Sequence, residues 1–258
     1  MEMTKANRRF IASLATAKGR REHSLFVAEG TKCVLETIDS FNVYALLCTD
    51  AWYADHAGTL QSGTTDITVV KRADIIEMSS LSTPADVIAV YHIPARTMPR
   101  PCADELSLAL DRVQDPGNLG TIIRIASWMG ISDIYCSHDT VDLYNPKVVQ
   151  ATMGAIARVA VHYCELPSLL ADARRDNVPV YGTFLDGDDI YTTPLTQGGV
   201  IVMGNEGSGI SNAVGSHVDR RLYIPSYPPG APCVESLNVS VATAITVAEF
   251  RRQTYKNS

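Results

Sequence analysis

At 258 residues, 46% hydrophobic and 19% charged, the chain has the make-up of one large or two modest globular domains, which excludes disordered and fibrous classes. A net charge of −6 argues weakly against a nucleic-acid partner until its distribution is read, and no apolar run reaches the roughly 18 residues of a membrane helix. The start, Met1 to Arg9, is polar and basic with no apolar stretch behind it, so the expectation is a cytoplasmic protein with no membrane partner. Residues 1 to 32 hold seven Lys or Arg (Lys5, Arg8, Arg9, Lys18, Arg20, Arg21, Lys32) against three acids, a local +4 that leaves −10 for the rest. Clustered base is the footprint of a phosphate-binding surface, although a solvated helix face gives the same pattern. This segment reads as helical. A helix around Lys32 to Ile38, strands near Tyr44 to Cys48, Thr68 to Lys71 and Val87 to Tyr91, and short helices between them make a small α/β module.

Pro94-Ala95-Arg96-Thr97-Met98-Pro99-Arg100-Pro101 is too stiff and too poor in apolar periodicity for a helix or a central strand. It divides the chain into residues 1–93, a linker at 94–104, and residues 105–258. The second part alternates: strand Leu106 to Leu110, helix to Met129, strand Ile134 to Cys136, helix from Asn145, strand Arg158 to Tyr163, helix from Pro167, strands Val178 to Phe184, Val200 to Met203 and Arg221 to Ile224, and a last helix Asn238 to Arg252. Such alternation implies a mainly parallel sheet with helices on both faces. Six scattered cysteines (Cys33, Cys48, Cys102, Cys136, Cys164, Cys233) form no CxxC pair and six histidines no HxxxH or HxE cluster, so no metal is expected.

Three segments stand where strand-like runs end, the place at which open α/β sheets gather ligand-contacting loops. The first is Asp115-Pro116-Gly117-Asn118-Leu119-Gly120 running on to Arg124. In the helix it opens, Ile122, Ile125, Ala126 and Met129 recur at helical spacing as a core stripe, which turns Arg124 outward on the face of Gly117 and Gly120. An arginine beside a floor without side chains suits a phosphate or a sugar, and equally an ordinary surface arginine. The second segment, Gly204-Asn205-Glu206-Gly207-Ser208-Gly209, follows the apolar strand Val200 to Met203 in the order GxxGxG, which is not the dinucleotide fingerprint. Its Glu206 is free to hold a hydroxyl, a ribose or an arginine, or the loop is a plain turn. The third, Ser236-Leu237-Asn238-Val239-Ser240, places Asn238 as N-cap of a last helix that is apolar on most sides, enough to bury part of it against a second subunit. Pro225, Pro228, Pro229 and Pro232 stiffen the approach to it.

Taken together, Asp115 to Arg124, Met203 to Gly209, and Ile224-Pro225 with Ser236 to Ala242 resemble the three ordered motifs of the SpoU or TrmH group of the SPOUT family, RNA ribose 2′-O-methyltransferases that use S-adenosylmethionine. The resemblance covers about 105 to 252. The opening segment, with Arg20, Arg21, Phe26 and Glu29-Gly30, looks like the L30e-type RNA-binding module often attached in front. What the resemblance implies is an α/β protein whose C-terminal mainly parallel sheet ends in a trefoil knot, preceded by a smaller L30e-like domain, and which works as a homodimer. Asn118, Arg124, Glu206, Ser236 and Asn238 match the family's catalytic set, and Thr183, Gly204, Ile224, Ser236 and Leu237 its cofactor site. Arg8, Arg9, Lys18, Arg20, Arg21 and Lys147 are the expected RNA contacts, with ribosomal RNA preferred over transfer RNA as partner. In Lys147-Val148-Val149-Gln150-Ala151-Thr152-Met153-Gly154, Gln150 and Thr152 stand where relatives often have arginine and serine. Two other readings are weighed: a non-catalytic RNA binder, against which Arg124, Glu206 and Asn238 speak, and a nucleotide-dependent oxidoreductase, against which the glycine order speaks.

Overall fold

The computed structural model describes residues 3–60, 67–228 and 234–255, so Cys233, Pro229 and Pro232 lie outside the described residues. In chain order the elements are α1 (Lys5–Ser13), α2 (Ala17–His23), β1 (Leu25–Glu29), α3 (Thr31–Thr37), β2 (Val43–Cys48), α4 (Asp50–His56), β3 (Ile67–Val69), α5 (Arg72–Met78) and β4 (Val87–His92). They continue as β5 (Leu106–Leu110), α6 (Pro116–Trp128), β6 (Asp133–Cys136), α7 (Pro146–Thr152), β7 (Ala160–Tyr163), α8 (Leu166–Arg175), β8 (Val180–Asp189), β9 (Gly199–Met203), α9 (Asn212–Gly215), β10 (Arg220–Tyr223) and α10 (Val239–Tyr255). The chain forms two units, one of 1–96 with 142–157, the other of 97–141 with 158–258. The first boundary falls inside the proline-dense stretch. A single cut at 94–104 does not provide for α7, which belongs with the first unit.

In the first unit, Thr4 and Thr16 start α1 and α2 by accepting the Asn7 and Gly19 N–H groups at 3.2 and 3.1 Å. Gly19 is obligatory there, since a Cβ would lie 2.3 Å from the Ser13 carbonyl oxygen. The sheet runs β1-β4-β2-β3. One of its faces carries Leu25, Val27, Ala45, Leu47, Ile88 and Val90 in a core with Ile11, Leu14, Ile75 and Met78. On the other face Phe26 meets Phe41, Tyr91 and Tyr144 at centroid distances of 4.5 to 5.3 Å. β1 is therefore buried on both sides, and its unbroken apolar run lacks the alternation by which a strand is recognised. Glu29 is buried and accepts from the hydroxyl groups of Ser79 and Ser80 and the Ser80 N–H, which ties β1 to the end of α5.

The second unit holds a six-stranded sheet of order β10-β8-β9-β5-β6-β7 in which every pair is parallel. Ala109, Tyr135, Val180, Val200 and Val202 face α8 and α9. Tyr181 points the other way, to Phe250 of α10 at 4.9 Å, and α10 packs against α6. From β5 the chain winds outward through β6 to β7, then crosses to build β8 and β9 on the opposite side. The order reverses between β5 and β9, and the crevice outside the carboxyl ends of those two strands is where such sheets bind ligands. β8 is longer than the sequence suggested and pairs with β10 through a register shift between Arg221 and Leu222.

Candidate active site

At the switch crevice α6 begins with Asp115 as N-cap, its Oδ1 accepting the Asn118 N–H at 2.8 Å, and Pro116 in the first turn. The buried stripe of α6 is Leu119, Gly120, Ile122, Ile123 and Ala126, rotated from the one expected; Ile125 and Met129 are only half buried. Gly120 thus packs into the core and is no part of an open floor, because the helix turns that side inward to meet the sheet. Asn118 instead lies at the rim of the stripe, toward the neighbouring loops.

Across the crevice, the loop after β9 closes on itself: Asn205 N–H donates to the Gly209 carbonyl at 3.1 Å and Gly209 N–H to the Asn205 carbonyl at 2.9 Å. Asn205 Oδ1 also accepts from the N–H groups of Gly207 and Ser208. Gly204 must be glycine, because a Cβ would lie 2.3 Å from the Gly209 carbon and the Ile210 nitrogen. The closed loop presents Glu206. At the third segment Asn238 caps α10, its Oδ1 accepting from Ser240 N–H, Ser240 Oγ and Val241 N–H at 3.0, 2.6 and 3.3 Å.

Those caps settle the direction of a side-chain relay. With Asn238 Oδ1 held by backbone donors, its Nδ2 faces Asn118 and donates to Oδ1 at 2.9 Å; the Asn118 Nδ2 then donates to Glu206 Oε1 at 2.6 Å. Three motifs spread over 120 residues of sequence meet through three side chains. Glu206 Oε1 is occupied, and Oε2 has no hydrogen-bond partner among the described residues. Arg124 is exposed on α6 and its side chain makes no hydrogen bond or ion pair among the described residues; neither does that of Ser236. The relay therefore joins Asn118, Glu206 and Asn238, and leaves Arg124 and Ser236 outside it. Thr183, within β8, donates to Met203 Sδ at 3.6 Å, next to Gly204, while Ile224 directly follows β10, so the three lie on neighbouring strands of the sheet. Leu237 is 44% exposed.

The expected RNA contacts separate into two groups. Arg20 is 3% exposed and donates to Asp142 Oδ2 at 2.9 Å and to the carbonyls of Leu14 and Ala15, so it holds α2 in place and has no face left for phosphate. Arg8 is paired with Asp74 and Glu77 at 2.9 and 2.7 Å. Arg9, Lys18, Arg21 and Lys147 are exposed. Thr152 is buried and donates to the Val149 carbonyl, a local helix bond. Missed by the sequence reading were Asp111 and Arg112, which hydrogen-bond to the Glu206 loop; Arg112 lies at φ +60, a backbone value that no residue pattern announces.

The family model described as SpoU rRNA Methylase matches residues 105–248, and the MRM3-like substrate binding domain matches residues 7–89. A Bacillus subtilis (strain 168) protein, the 23S rRNA (guanosine(2553)-2′-O)-methyltransferase RlmP, is 34% identical over 175 residues, covering 67% of this chain and 68% of its own. The structure of a TrmH-family protein from Porphyromonas gingivalis superposes with a TM-score of 0.87 at 37% identity, covering 98% and 100% of the two chains. An AdoMet-bound rRNA methyltransferase from Sinorhizobium meliloti gives 0.83 at 29% identity, with 98% and 96% covered.

Proposed function

We propose, from the premise that this chain belongs to the SpoU rRNA methylase family, that it transfers a methyl group from S-adenosylmethionine to a ribose 2′-hydroxyl of ribosomal RNA. The observation that carries the reading is the Asn238–Asn118–Glu206 relay, which brings one residue of each motif to the switch crevice. Ribosomal RNA is preferred to transfer RNA because the Bacillus subtilis relative acts on 23S rRNA. The cofactor pocket is read as Thr183, Gly204, Ile224, Ser236 and Leu237. Three adjacent strands, a loop exposed at Gly207 to Gly209 and an exposed leucine suit a flat adenine with a polar tail. S-adenosylmethionine bound there supplies an electrophilic methyl group on a sulfonium.

The remaining work falls to the chain's own side chains. A ribose hydroxyl is a poor nucleophile, and holding it in line accounts for roughly 7 to 11 kcal/mol of barrier in well-oriented reactions. Glu206 Oε2 takes the hydroxyl proton, while Asn118, fixed by Asn238, keeps Oε1 in place. The unpaired guanidinium of Arg124 holds the target phosphate and the developing alkoxide. Arg9, Lys18, Arg21 and Lys147 hold RNA through its phosphates, on a first unit read as L30e-like from its four-stranded sheet and its substrate-binding match. The same reading includes a trefoil knot, supported by the return of the chain from edge strand β10 to α6, and a homodimer through α6 and α10, supported by Trp128 at 87% exposure and exposed Val241. Calorimetric titration with S-adenosylmethionine and NAD, followed by methyl incorporation into rRNA and tRNA fractions, tests it: binding of S-adenosylmethionine alone and label in rRNA are expected, and binding without turnover on either RNA would leave the non-catalytic reading.

A further inference from the structure

Two residues just after β5 grip the Glu206 loop and the strand end before it at four points. Asp111 is 3% exposed; its N–H donates to the Met203 carbonyl, and its Oδ2 accepts the Ser211 N–H at 2.6 Å. The Arg112 carbonyl accepts from Asn205 Nδ2 at 2.9 Å, and Arg112 Nη2 donates to the Gly209 carbonyl at 3.3 Å. Asn205 and Gly209 are the two residues whose paired backbone groups close the loop, so Arg112 touches both ends of the closure.

In an extended strand successive side chains point to opposite faces, and Asp111 and Arg112 could not both address one loop. The left-handed backbone of Arg112, φ +60, turns the chain so that they do, and its N–H is held by Ser137 Oγ at 2.9 Å. A left-handed arginine is uncommon and persists where surrounding contacts over-determine it. Its Nε is buried and has no hydrogen-bond partner among the described residues, with Asp111 Oδ1 opposite at 3.4 Å. A partly desolvated cation is thereby kept against the loop that carries the acid of the relay, and nothing in the motif chemistry calls for it.

We propose that Arg112 is a positioning residue for methyl transfer: its guanidinium holds the Asn205–Gly209 closure so that Glu206 stays in reach of Asn118. The proposal rests on the functional reading above. Arg112→Gly is the informative variant, because glycine keeps the left-handed backbone and its bonds to Ser137 and Asn205 while removing the guanidinium. The expected result is a protein that melts like the wild type, with kcat on rRNA reduced about 10- to 100-fold, KM for rRNA within about 3-fold, and activity partly regained with ethylguanidinium. Backbone amides 205–209 should exchange faster in this variant, as measured by hydrogen–deuterium exchange, and Arg112→Lys should fall between the two. Unchanged exchange in the loop, or a raised KM with kcat intact, would overturn the proposal, the latter making Arg112 an RNA contact. If the wild type methylates no RNA, the functional reading fails, and the exchange of 205–209 still decides whether the guanidinium holds the loop.

Discussion

Asn118 is a donor to Glu206 only because its carbonyl side is claimed by Asn238. Asn118→Asp replaces that donor by a carboxylate facing Oε1 across the 2.6 Å contact. Two neighbouring carboxylates resist joint ionisation, so the apparent pKa of the pair rises and the base forms only at higher pH. The acid limb of the kcat/KM profile should move to higher pH, with activity at pH 7 lowered about 100-fold; a profile superimposable on the wild type would remove Glu206 from proton transfer. The thiols give a separate residue-scale check. Burial pushes Cys33, Cys48 and Cys164 up to about 11 and Cys136 higher still, whereas Cys102 is exposed. Only the thiolate reacts, so at pH 8 iodoacetamide should label Cys102 ahead of Cys33, Cys48 and Cys164 and leave Cys136 unmodified until the chain unfolds. Mass spectrometry showing Cys136 labelled at the rate of Cys102 would contradict the packing of β6.

Among the elements, α7 is the one whose allegiance the sequence concealed. It follows β6 in chain order, yet packs on β1 of the first unit, and Gly154 just after it lies at φ +92 with a hypothetical Cβ 2.4 Å from the Glu36 Cβ of α3. Gly154→Ala should therefore destabilise the first unit by about 2 to 3 kcal/mol, read as an earlier urea midpoint; an unchanged midpoint would mean that α3 and α7 do not press together. The alternation of the second unit was legible because parallel strands buried on both faces are unbroken apolar runs divided by helices. β1 was not, since its five buried residues follow a basic helix without a period of two. For α6, periodicity supplied the helix and misplaced its inward face, because Ile125 and Met129 are as apolar as Ile123 and only tertiary packing chooses between them. The three loops of the site were legible from glycine, proline and Asx chemistry. The direction of the relay was not: it depends on which amide atom of Asn238 the backbone of α10 claims.

For the whole molecule, the proposed function asks an acidic protein to bind a polyanion, and the residues proposed to meet it are the exposed Arg9, Lys18 and Arg21 of the first unit, since Arg8 and Arg20 are tied up internally. The apolar surface left on α6 and α10 belongs to the same scale. If it is a subunit interface, Val241→Asp should shift the sedimentation coefficient from dimer to monomer while the monomer stays folded; a wild type that sediments as a monomer at micromolar concentration would contradict the homodimer. The central claim is that the methyl group goes to a ribose hydroxyl, and the product reveals this directly, because a 2′-O-methyl group blocks alkaline cleavage of the adjoining phosphodiester. Ribosomal RNA from cells lacking the protein, labelled in vitro with methyl-tritiated S-adenosylmethionine and digested in alkali, should carry its label in dinucleotides. Label in mononucleotides, marking a methylated base, or no transfer at all would contradict the account.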